Sequence, residues 1–354
     1  MSIQELLAIT VKKNASDLHL LTGIPPTLRI DGSLTYVSNC RPLTKQDIET
    51  MIFSLIDAQQ KVMLLDTKEL DFSFTFDDGT KNLGRFRSNV YYQRGYLSGA
   101  FRFLEPNLRT IEDLHLPKIL HKFADLKQGF ILVTGPTGHG KSTTLAAVIN
   151  EINLNRACHI LTIEDPIEYV YPPGKSIISQ RAMGIDTHSW HLALRSALRE
   201  DPDVVLVGEM RDPETMAAAI TIAETGHLVF STLHTNSASQ SIDRIIDSFP
   251  AEQQPQIKIQ LAASLKGIIS QRLLQQISGG RIPAVEVLTG TSAVANNIRE
   301  GKTHLIDSVI QTSHEAGMIT LEASLADLIL TGSISLETAK SYALHQDYLL
   351  RLIG

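Results

Sequence analysis

A glycine-rich segment near the middle of the chain has the residues and spacing of a phosphate-binding loop. Within TGPTGHGKSTTL (134–145), four residues match the pattern G-x-x-x-x-G-K-[ST]. Glycines let backbone N–H groups turn toward phosphates, the lysine reaches the β- and γ-phosphates, and the serine hydroxyl binds Mg²⁺. The segment therefore predicts a nucleoside triphosphate site with Mg²⁺. The expected nucleotide contacts are Gly135, Pro136, Thr137, Gly138, His139, Gly140, Lys141, Ser142 and Thr143.

Carboxylates follow two other apolar segments of the chain. They are Glu164, Asp165 and Glu168 after 159–163, and Glu209 after 204–207 and Gly208. Ligands of open α/β sheets bind outside the carboxyl ends of the strands, so these acids fall near the expected phosphate site. Acids there hold Mg²⁺ through water or orient an attacking water molecule. Glu209 has the position of a Walker B acid, which is usually Asp.

Two histidines, His227 and His234, bracket a third apolar segment. A histidine at a strand end is placed to sense a γ-phosphate. A lone histidine is nevertheless more often a hydrogen-bonded core residue. The residues alone leave both interpretations open.

A parallel sheet is needed to bring these groups together. Beyond the first hundred or so residues, apolar strands alternate with helical segments, which is the pattern of a parallel α/β sheet. Strands are expected at 130–133, 159–163, 204–207 and 227–232, and the main helices at 189–198 and 213–224. The chain after residue 251 is expected to be mostly helical, with a short strand at 284–287.

Residues 1–108 are expected to form a separate α+β domain. Alternating apolar residues predict a half-buried strand at 69–76, and further strands are expected at 84–92 and 97–104. Asp31-Gly32 and Asp78-Gly79 predict turns. Two prolines with few apolar residues between them predict a hinge from Pro106 to Pro117. The linker proper is placed at 109–117, and the second domain at 118–354.

Four arginines of the first domain are candidate phosphate ligands: Arg85, Arg87, Arg94 and Arg102. Arg85 and Arg87 are two residues apart in an expected strand, so they share one face. A guanidinium group suits phosphate recognition better than an ammonium does. Either some of these arginines reach the nucleotide of a neighbouring subunit, or they form a solvated basic face.

Composition narrows the class of protein. The chain has 354 residues and a formal net charge of −6, which disfavours a nucleic-acid partner. Its two cysteines, Cys40 and Cys158, are expected to be reduced thiols of a cytoplasmic protein. We expect no membrane span and no signal peptide, because no apolar run is long enough and the N-terminal pattern is absent.

Four segments resemble the nucleotide-binding boxes of the bacterial secretion ATPases. TGPTGHGKSTTL, ILTIEDPIEYV, ALREDPDVVLVGEMRD and TGHLVFSTLHT resemble the Walker A, Asp, Walker B and His boxes. Within that superfamily the resemblance is to the pilus retraction ATPase family. The segments ASDLHL, LDFSF and RFRSN look like its PAS-like N-terminal domain. The implied fold class is α/β, with a PAS-like α+β domain followed by a RecA-like P-loop ATPase domain and a helical C-terminal portion.

The resemblance implies a ring of six subunits that hydrolyses ATP, with Mg²⁺, to depolymerise a type IV pilus. The implied partners are five identical subunits, an inner-membrane pilus platform protein and a paralogous retraction ATPase, and not nucleic acid. Location at the inner face of the cytoplasmic membrane follows from those partners. The implied catalytic residues are Lys141, Glu168, Glu209, His227 and His234; the metal residues are Ser142, Glu164 and Glu209; the four arginines act across subunit borders.

Two departures from the family pattern stand out. AVANNIRE (293–300) resembles the retraction element AIRNLIRE but differs at Val294, Ala295 and Asn297. His139 stands where the family usually has a small residue. An imidazole charged near neutral pH would tighten product binding; the alternative is a side chain that faces away from the phosphates. The other candidate functions are a type IV secretion ATPase, a non-retracting regulator or scaffold, and a nucleic-acid motor.

Overall fold

The computed structural model describes residues 1–30, 32–77, 82–104 and 108–354, with the side chains of Asn82 and Leu83 excepted. The turn residues Asp31, Asp78 and Gly79 and the hinge residue Pro106 lie outside the described residues. The chain divides into two compact units. The first comprises Met1–Asn107 with Pro166–Val170, and the second comprises Leu108–Asp165 with Tyr171–Gly354.

The first unit is an antiparallel sheet with three helices. Its elements are α1 (Ile3–Lys12), β1 (Asp17–Leu20), β2 (Thr27–Ile30), β3 (Ser33–Tyr36), α2 (Lys45–Phe53), α3 (Ala58–Thr67), β4 (Glu69–Asp77), β5 (Asn82–Gln93) and β6 (Tyr96–Leu104). The strand order is β3-β2-β1-β6-β5-β4. All three helices begin with a capping box, in which the N-cap side chain and the third helical residue satisfy each other's backbone N–H. The three strands expected at 69–76, 84–92 and 97–104 are confirmed as β4, β5 and β6.

The second unit is a seven-stranded sheet with helices. Its elements from α4 to β11 are α4 (Ile119–Asp125), β7 (Gly129–Thr134), α5 (Lys141–Asn155), β8 (His159–Glu164), β9 (Ile177–Ala182), α6 (Trp190–Ala197), β10 (Val204–Val207), α7 (Pro213–Glu224) and β11 (Leu228–Leu233). The remaining elements are α8 (Ala238–Asp247), α9 (Gln254–Ser264), β12 (Leu265–Gln275), β13 (Arg281–Thr289), α10 (Ser292–Arg299), α11 (Ile306–Thr312), α12 (Leu321–Leu330), α13 (Leu336–Tyr342) and α14 (Gln346–Ile353).

The order of this second sheet is β13-β12-β7-β11-β10-β8-β9. Only the pairing of β12 with β13 is antiparallel among its recorded strand pairs. Alternate residues of β10 enter two different apolar clusters, so both faces of the sheet are buried. The parallel register brings the carboxyl ends of β7, β8, β10 and β11 to one edge. None of the helices in the described ranges is long and apolar enough to cross a membrane.

The expected strands β7, β8, β10 and β11 and the helices α6 and α7 are confirmed, with ends that differ by at most one residue. The expectation of a mostly helical chain after residue 251 is wrong for 265–275, which forms the long strand β12. The three consecutive polar residues Ser270, Gln271 and Arg272 hid this strand. They are buried, so they break both the alternating pattern and the continuous apolar pattern by which strands are recognised.

The segment expected to be a linker is anchored to the second unit. Ile111 and Leu116 are 1% and 7% exposed and belong to the cluster that contains Ile131 and Val148. The prediction of few apolar anchors therefore does not describe residues 111–116. Two buried apolar residues anchor this segment, although it forms no regular helix or strand and half of its residues are exposed.

We expect Ile111→Ala to lower the free energy of unfolding of the protein by about 2–5 kcal/mol, because it leaves a cavity in a closed core. Arg109→Ala, two residues earlier and exposed, should change it by no more than about 0.5 kcal/mol. Urea denaturation of both variants measures the difference. Equal, small effects would mean that residues 108–117 are not anchored.

Candidate nucleotide site

The glycine-rich loop has a backbone shape that only glycine accepts at its key positions. Gly135 has φ +141°, and a Cβ there would lie 2.4 Å from the carbonyl oxygen of Gln271 on β12. Gly140, with φ +83°, is the N-cap of α5 and offers no side-chain acceptor to the first turn. The uncapped N–H groups and the helix dipole favour an anion at this end. The residues present therefore fit the phosphates of a nucleotide.

Lys141 is held over this loop. It is 8% exposed, and its Nζ donates to the carbonyl oxygens of Gly135 and Pro136 at 2.7 and 3.0 Å. Ser142 and Thr143 follow in the first turn of α5, with Ser142 exposed. The predicted nucleotide contacts from 135 to 143 thus form one continuous loop and helix start.

Two carboxylates lie at the neighbouring strand ends. Glu164 is the last residue of β8, and its Oε1 accepts from Thr162 Oγ1 at 2.7 Å. Glu209 follows β10 by two residues, and its Oε1 lies 2.5 Å from Arg211 Nη2. No cluster of three or more metal-ligating side chains exists in the part of the chain that the structure describes. Mg²⁺ is usually held by one or two protein groups together with substrate phosphates and water, so the carboxylates of Glu164 and Glu209 would suit it chemically.

His234 lies between the loop and the Walker B acid. Its Nδ1 is 3.5 Å from Lys141 Nζ and 3.4 Å from Thr137 Oγ1. Its Nε2 is 3.4 Å from Glu209 Oε2. The structure therefore brings together three of the predicted site residues, Lys141, Glu209 and His234, in one polar group.

His227 lies at the other end of β11. Its Nδ1 is 3.0 Å from the carbonyl oxygen of Ile222 and 3.2 Å from Thr225 Oγ1. The strand between His227 and His234 spans roughly 20 Å at about 3.3 Å per residue. The structure therefore does not bring His227 to the phosphate loop, and its catalytic role stays a prediction.

His139 is engaged with β12. Its Nδ1 accepts from the backbone N–H of Leu273 at 3.0 Å, and its ring packs edge-on against Tyr342. Burial, with the cations Arg272 and Lys141, lowers the pKa of His139 below its ordinary value of 6.5. The accepting Nδ1 and the lowered pKa both favour the neutral imidazole, which argues against a charged ring beside the phosphates.

The remaining predicted residues lie in the first unit. Glu168 Oε1 is 3.4 Å from Arg87 Nη1, and Arg102 Nε is 2.9 Å from Asp17 Oδ1. Arg85 donates to the hydroxyls of Ser73 and Thr75 at 2.7 and 2.9 Å. Arg94 is exposed in the turn after β5 with φ +51°, and its guanidinium has no hydrogen bond or ion pair to the described residues. The roles of these five residues at a nucleotide stay predictions.

Two residues that hold the loops of the site, Gln271 and Arg272, were not predicted from the sequence. Gln271 accepts from Thr144 Oγ1 at 2.7 Å and donates from Nε2 to the carbonyl oxygen of His139 at 2.7 Å. Arg272 Nη2 donates to the carbonyl oxygen of Asn236 at 2.8 Å, in the loop that follows His234. The available signal was a pair of adjacent polar residues inside an apolar segment. Their partners are remote in sequence, so the signal did not indicate a role.

Comparison with known proteins identifies the family. Residues 108–338 match the model of the type II/IV secretion system protein family. The chain is 45% identical over 343 residues to the type IV pilus retractation ATPase PilT of Pseudomonas aeruginosa, which covers 97% of this chain and 98% of that protein. The chain belongs to the type II/IV secretion system protein family. The predicted membership among the secretion ATPases is thereby confirmed.

Solved structures of this family agree with the architecture. A crystal structure of the pilus retraction motor PilT with bound ADP superposes with a TM-score of 0.92 at 44% identity, over 99% of both chains. The Legionella pneumophila ATPase DotB superposes with a TM-score of 0.80 at 26% identity, over 96% of this chain and 94% of that one. The predicted α/β fold class, an N-terminal α+β domain followed by a RecA-like ATPase domain, is confirmed.

We expect His139→Ser to leave the pH profile of ADP affinity unchanged between about pH 7 and about pH 8, because the pKa of the wild-type imidazole lies below its ordinary value of 6.5. The control is His304→Ser at an exposed position. Calorimetric titration with ADP at several pH values measures the profile. The charged-ring hypothesis would be restored if ADP bound wild type more weakly as the pH rises and if His139→Ser showed no such change.

His139→Ser also tests how the lowered pKa of His139 affects the pH dependence of protein stability. Because the folded-state pKa of His139 lies below its ordinary 6.5, unfolding takes up a proton, so wild-type stability declines as the pH falls below about 6.5. His139→Ser should lose this part of the decline. At higher pH it should be less stable by about 1–3 kcal/mol, because Leu273 N–H loses its acceptor. Thermal unfolding at several pH values measures both effects.

Proposed function

We propose that this chain is the ATP-hydrolysing subunit of a homo-hexameric motor that retracts a type IV pilus. The observation that carries the proposal is the polar group at the phosphate loop. In this group His234 lies within hydrogen-bonding reach of both Lys141 and Glu209. The similarity to PilT over nearly the whole chain supports the retraction role. The motor works at the cytoplasmic face of the inner membrane through a pilus platform protein and a paralogous retraction ATPase.

The lysine contacts suggest how nucleotide binding starts. Lys141 Nζ donates to two backbone carbonyl oxygens, which are neutral acceptors. Hydrogen bonds to a charged phosphate are roughly twice as strong. A triphosphate in the loop therefore draws Lys141 away from Gly135 and Pro136 and toward its β- and γ-phosphate oxygens.

Glu209 and His234 are the other two members of the polar group at the phosphate loop. The Glu209 carboxylate lies at the carboxyl end of β10 and orients the attacking water. Ser142 and Glu164, with Glu209, would hold Mg²⁺, which neutralises the charge that develops on the phosphates. Since His234 contacts both Lys141 and Glu209, any movement of Lys141 toward phosphate changes the surroundings of Glu209. His234 thus links occupancy of the loop to the acid that orients the water.

A type IV secretion ATPase is the second candidate, because the family model that matches residues 108–338 describes type II/IV secretion system proteins. The 45% identity to PilT favours retraction. Within AVANNIRE the changed residue Val294 and the unchanged residue Ile298 are both buried, and they keep α10 in the core. A regulator without turnover is disfavoured because Lys141, Glu209 and His234 are assembled.

We expect wild type to hydrolyse ATP with a specific activity that rises with protein concentration as rings assemble, and Glu209→Gln to lose about 10²-fold or more in kcat. The control is Glu214→Gln, a nearby exposed carboxylate, which should keep wild-type activity. Steady-state phosphate release over a concentration series measures this. Wild type that assembles and binds ATP yet never turns over would refute the motor proposal.

Arg94 offers a test of sites shared between subunits, because its guanidinium is free to reach a neighbouring copy. We expect Arg94→Ala and Glu209→Gln to be impaired separately and to regain activity when mixed, since each supplies what the other lacks. Ser33→Ala, exposed in the same unit, is the control and should be fully active alone. An unmixed Arg94→Ala protein with wild-type activity would remove Arg94 from the site.

A further inference from the structure

The loop that carries His234 is short and held at both ends. Only His234, Thr235, Asn236 and Ser237 connect the end of β11 to the start of α8. Arg272 holds the middle of this loop through the carbonyl oxygen and the side-chain oxygen of Asn236, at 2.8 and 3.1 Å. The position of His234 therefore depends on the groups that fix the start of α8.

Glu286 fixes that start. It lies on β13, and its Oε1 accepts from the backbone N–H of Ala238, the first residue of α8, at 2.6 Å. Glu286 pairs with Ser270 in the β12–β13 register, so Arg272, two residues along β12, is its diagonal neighbour on the same face. Glu286 and Arg272 thus reach the His234 loop from one side of one hairpin.

The surroundings of Glu286 raise the pKa of its carboxyl group, so its charge changes near neutral pH. Glu286 is 7% exposed, and burial, with the charges of Asp307 on α11 and Glu322 on α12, raises its pKa from 4.5 to about 7. Arg272 and the Ala238 N–H act in the opposite direction. The remaining charged or titratable groups of the cavity of about 1030 Å³ that Glu286 lines are His345, Asp347, Tyr348 and Arg351.

We propose that Glu286 is a positioning residue for His234, and that its charged carboxylate at the start of α8 sets the His234 loop for ATP hydrolysis. The charged form accepts the Ala238 N–H more strongly than the protonated form does, and it is favoured by the helix dipole. Protonation therefore loosens the loop, and hydrolysis falls as the pH drops through neutrality. This inference rests on the proposed ATPase function.

Glu286→Gln tests the proposal because the amide keeps the shape and one acceptor oxygen but never carries the charge. We expect the ratio of wild-type to variant kcat to be near one at about pH 6 and to rise to about fivefold at about pH 8, the difference between a charge-assisted and a neutral hydrogen bond. KM for ATP should change little, because the loop that binds the phosphates is untouched.

Glu322→Gln is the matched control. Glu322 is also a buried carboxylate that accepts backbone N–H groups, those of Leu344 and His345, but it does not touch the His234 loop. The ratio of wild-type to Glu322→Gln kcat should be near one at about pH 8, where Glu286 is charged in both proteins. At about pH 6 it should be no higher than one, because loss of the Glu322 charge lowers the pKa of Glu286. A pH-independent ratio for Glu286→Gln, or a fivefold ratio at about pH 8 for Glu322→Gln as well, would overturn the proposal.

Hydrogen exchange of wild type gives a readout that needs neither activity nor a variant. After correction for the intrinsic rate, protection of the Ala238 amide should fall between about pH 8 and about pH 6, while protection in β10 stays constant. Constant Ala238 protection would overturn the proposal even in an active enzyme. An inactive wild type with the expected exchange would instead refute the ATPase function and leave the contact intact.

Discussion

The pairing of β12 with β7 is the constraint on which the nucleotide site depends. It places Gln271 so close to Gly135 that the loop has no room for a side chain there. Because successive strand residues point to opposite faces, Gln271 reaches the phosphate loop while its neighbour Arg272 reaches the loop after His234. One strand thereby fixes both polar loops, and their relative placement does not rely on either loop's own rigidity.

Polar groups at the site satisfy one another while keeping room for a ligand. Lys141 rests on backbone oxygens, Glu209 on Arg211, and His234 makes three contacts of 3.4–3.5 Å. Contacts of that length are weak hydrogen bonds. The group is thus held together strongly enough to be ordered and weakly enough to be rearranged by a triphosphate, whose charged oxygens are better acceptors.

Much of this fold could be predicted, for identifiable reasons. The strands β7, β8, β10 and β11 are buried on both faces, so they appear as apolar runs and were placed to within one residue. The loop glycines and the strand-end acids followed from spacing. The predictions failed for features that depend on residues distant in sequence. One is β12, whose Gln271 and Arg272 make contacts with residues 132 and 36 positions away. The other is the environment of His139. No local pattern carries such information.

The segment Pro166–Val170 groups with the first unit although the chain on both sides of it belongs to the second. The polypeptide therefore passes between the units three times, at 107–108, 165–166 and 170–171. Modules joined by a single crossing can be exchanged between genes by one recombination event. Here such an event would separate Glu168 from Arg87 and leave a piece of the first unit behind. A single junction in the gene therefore cannot transfer the first unit whole.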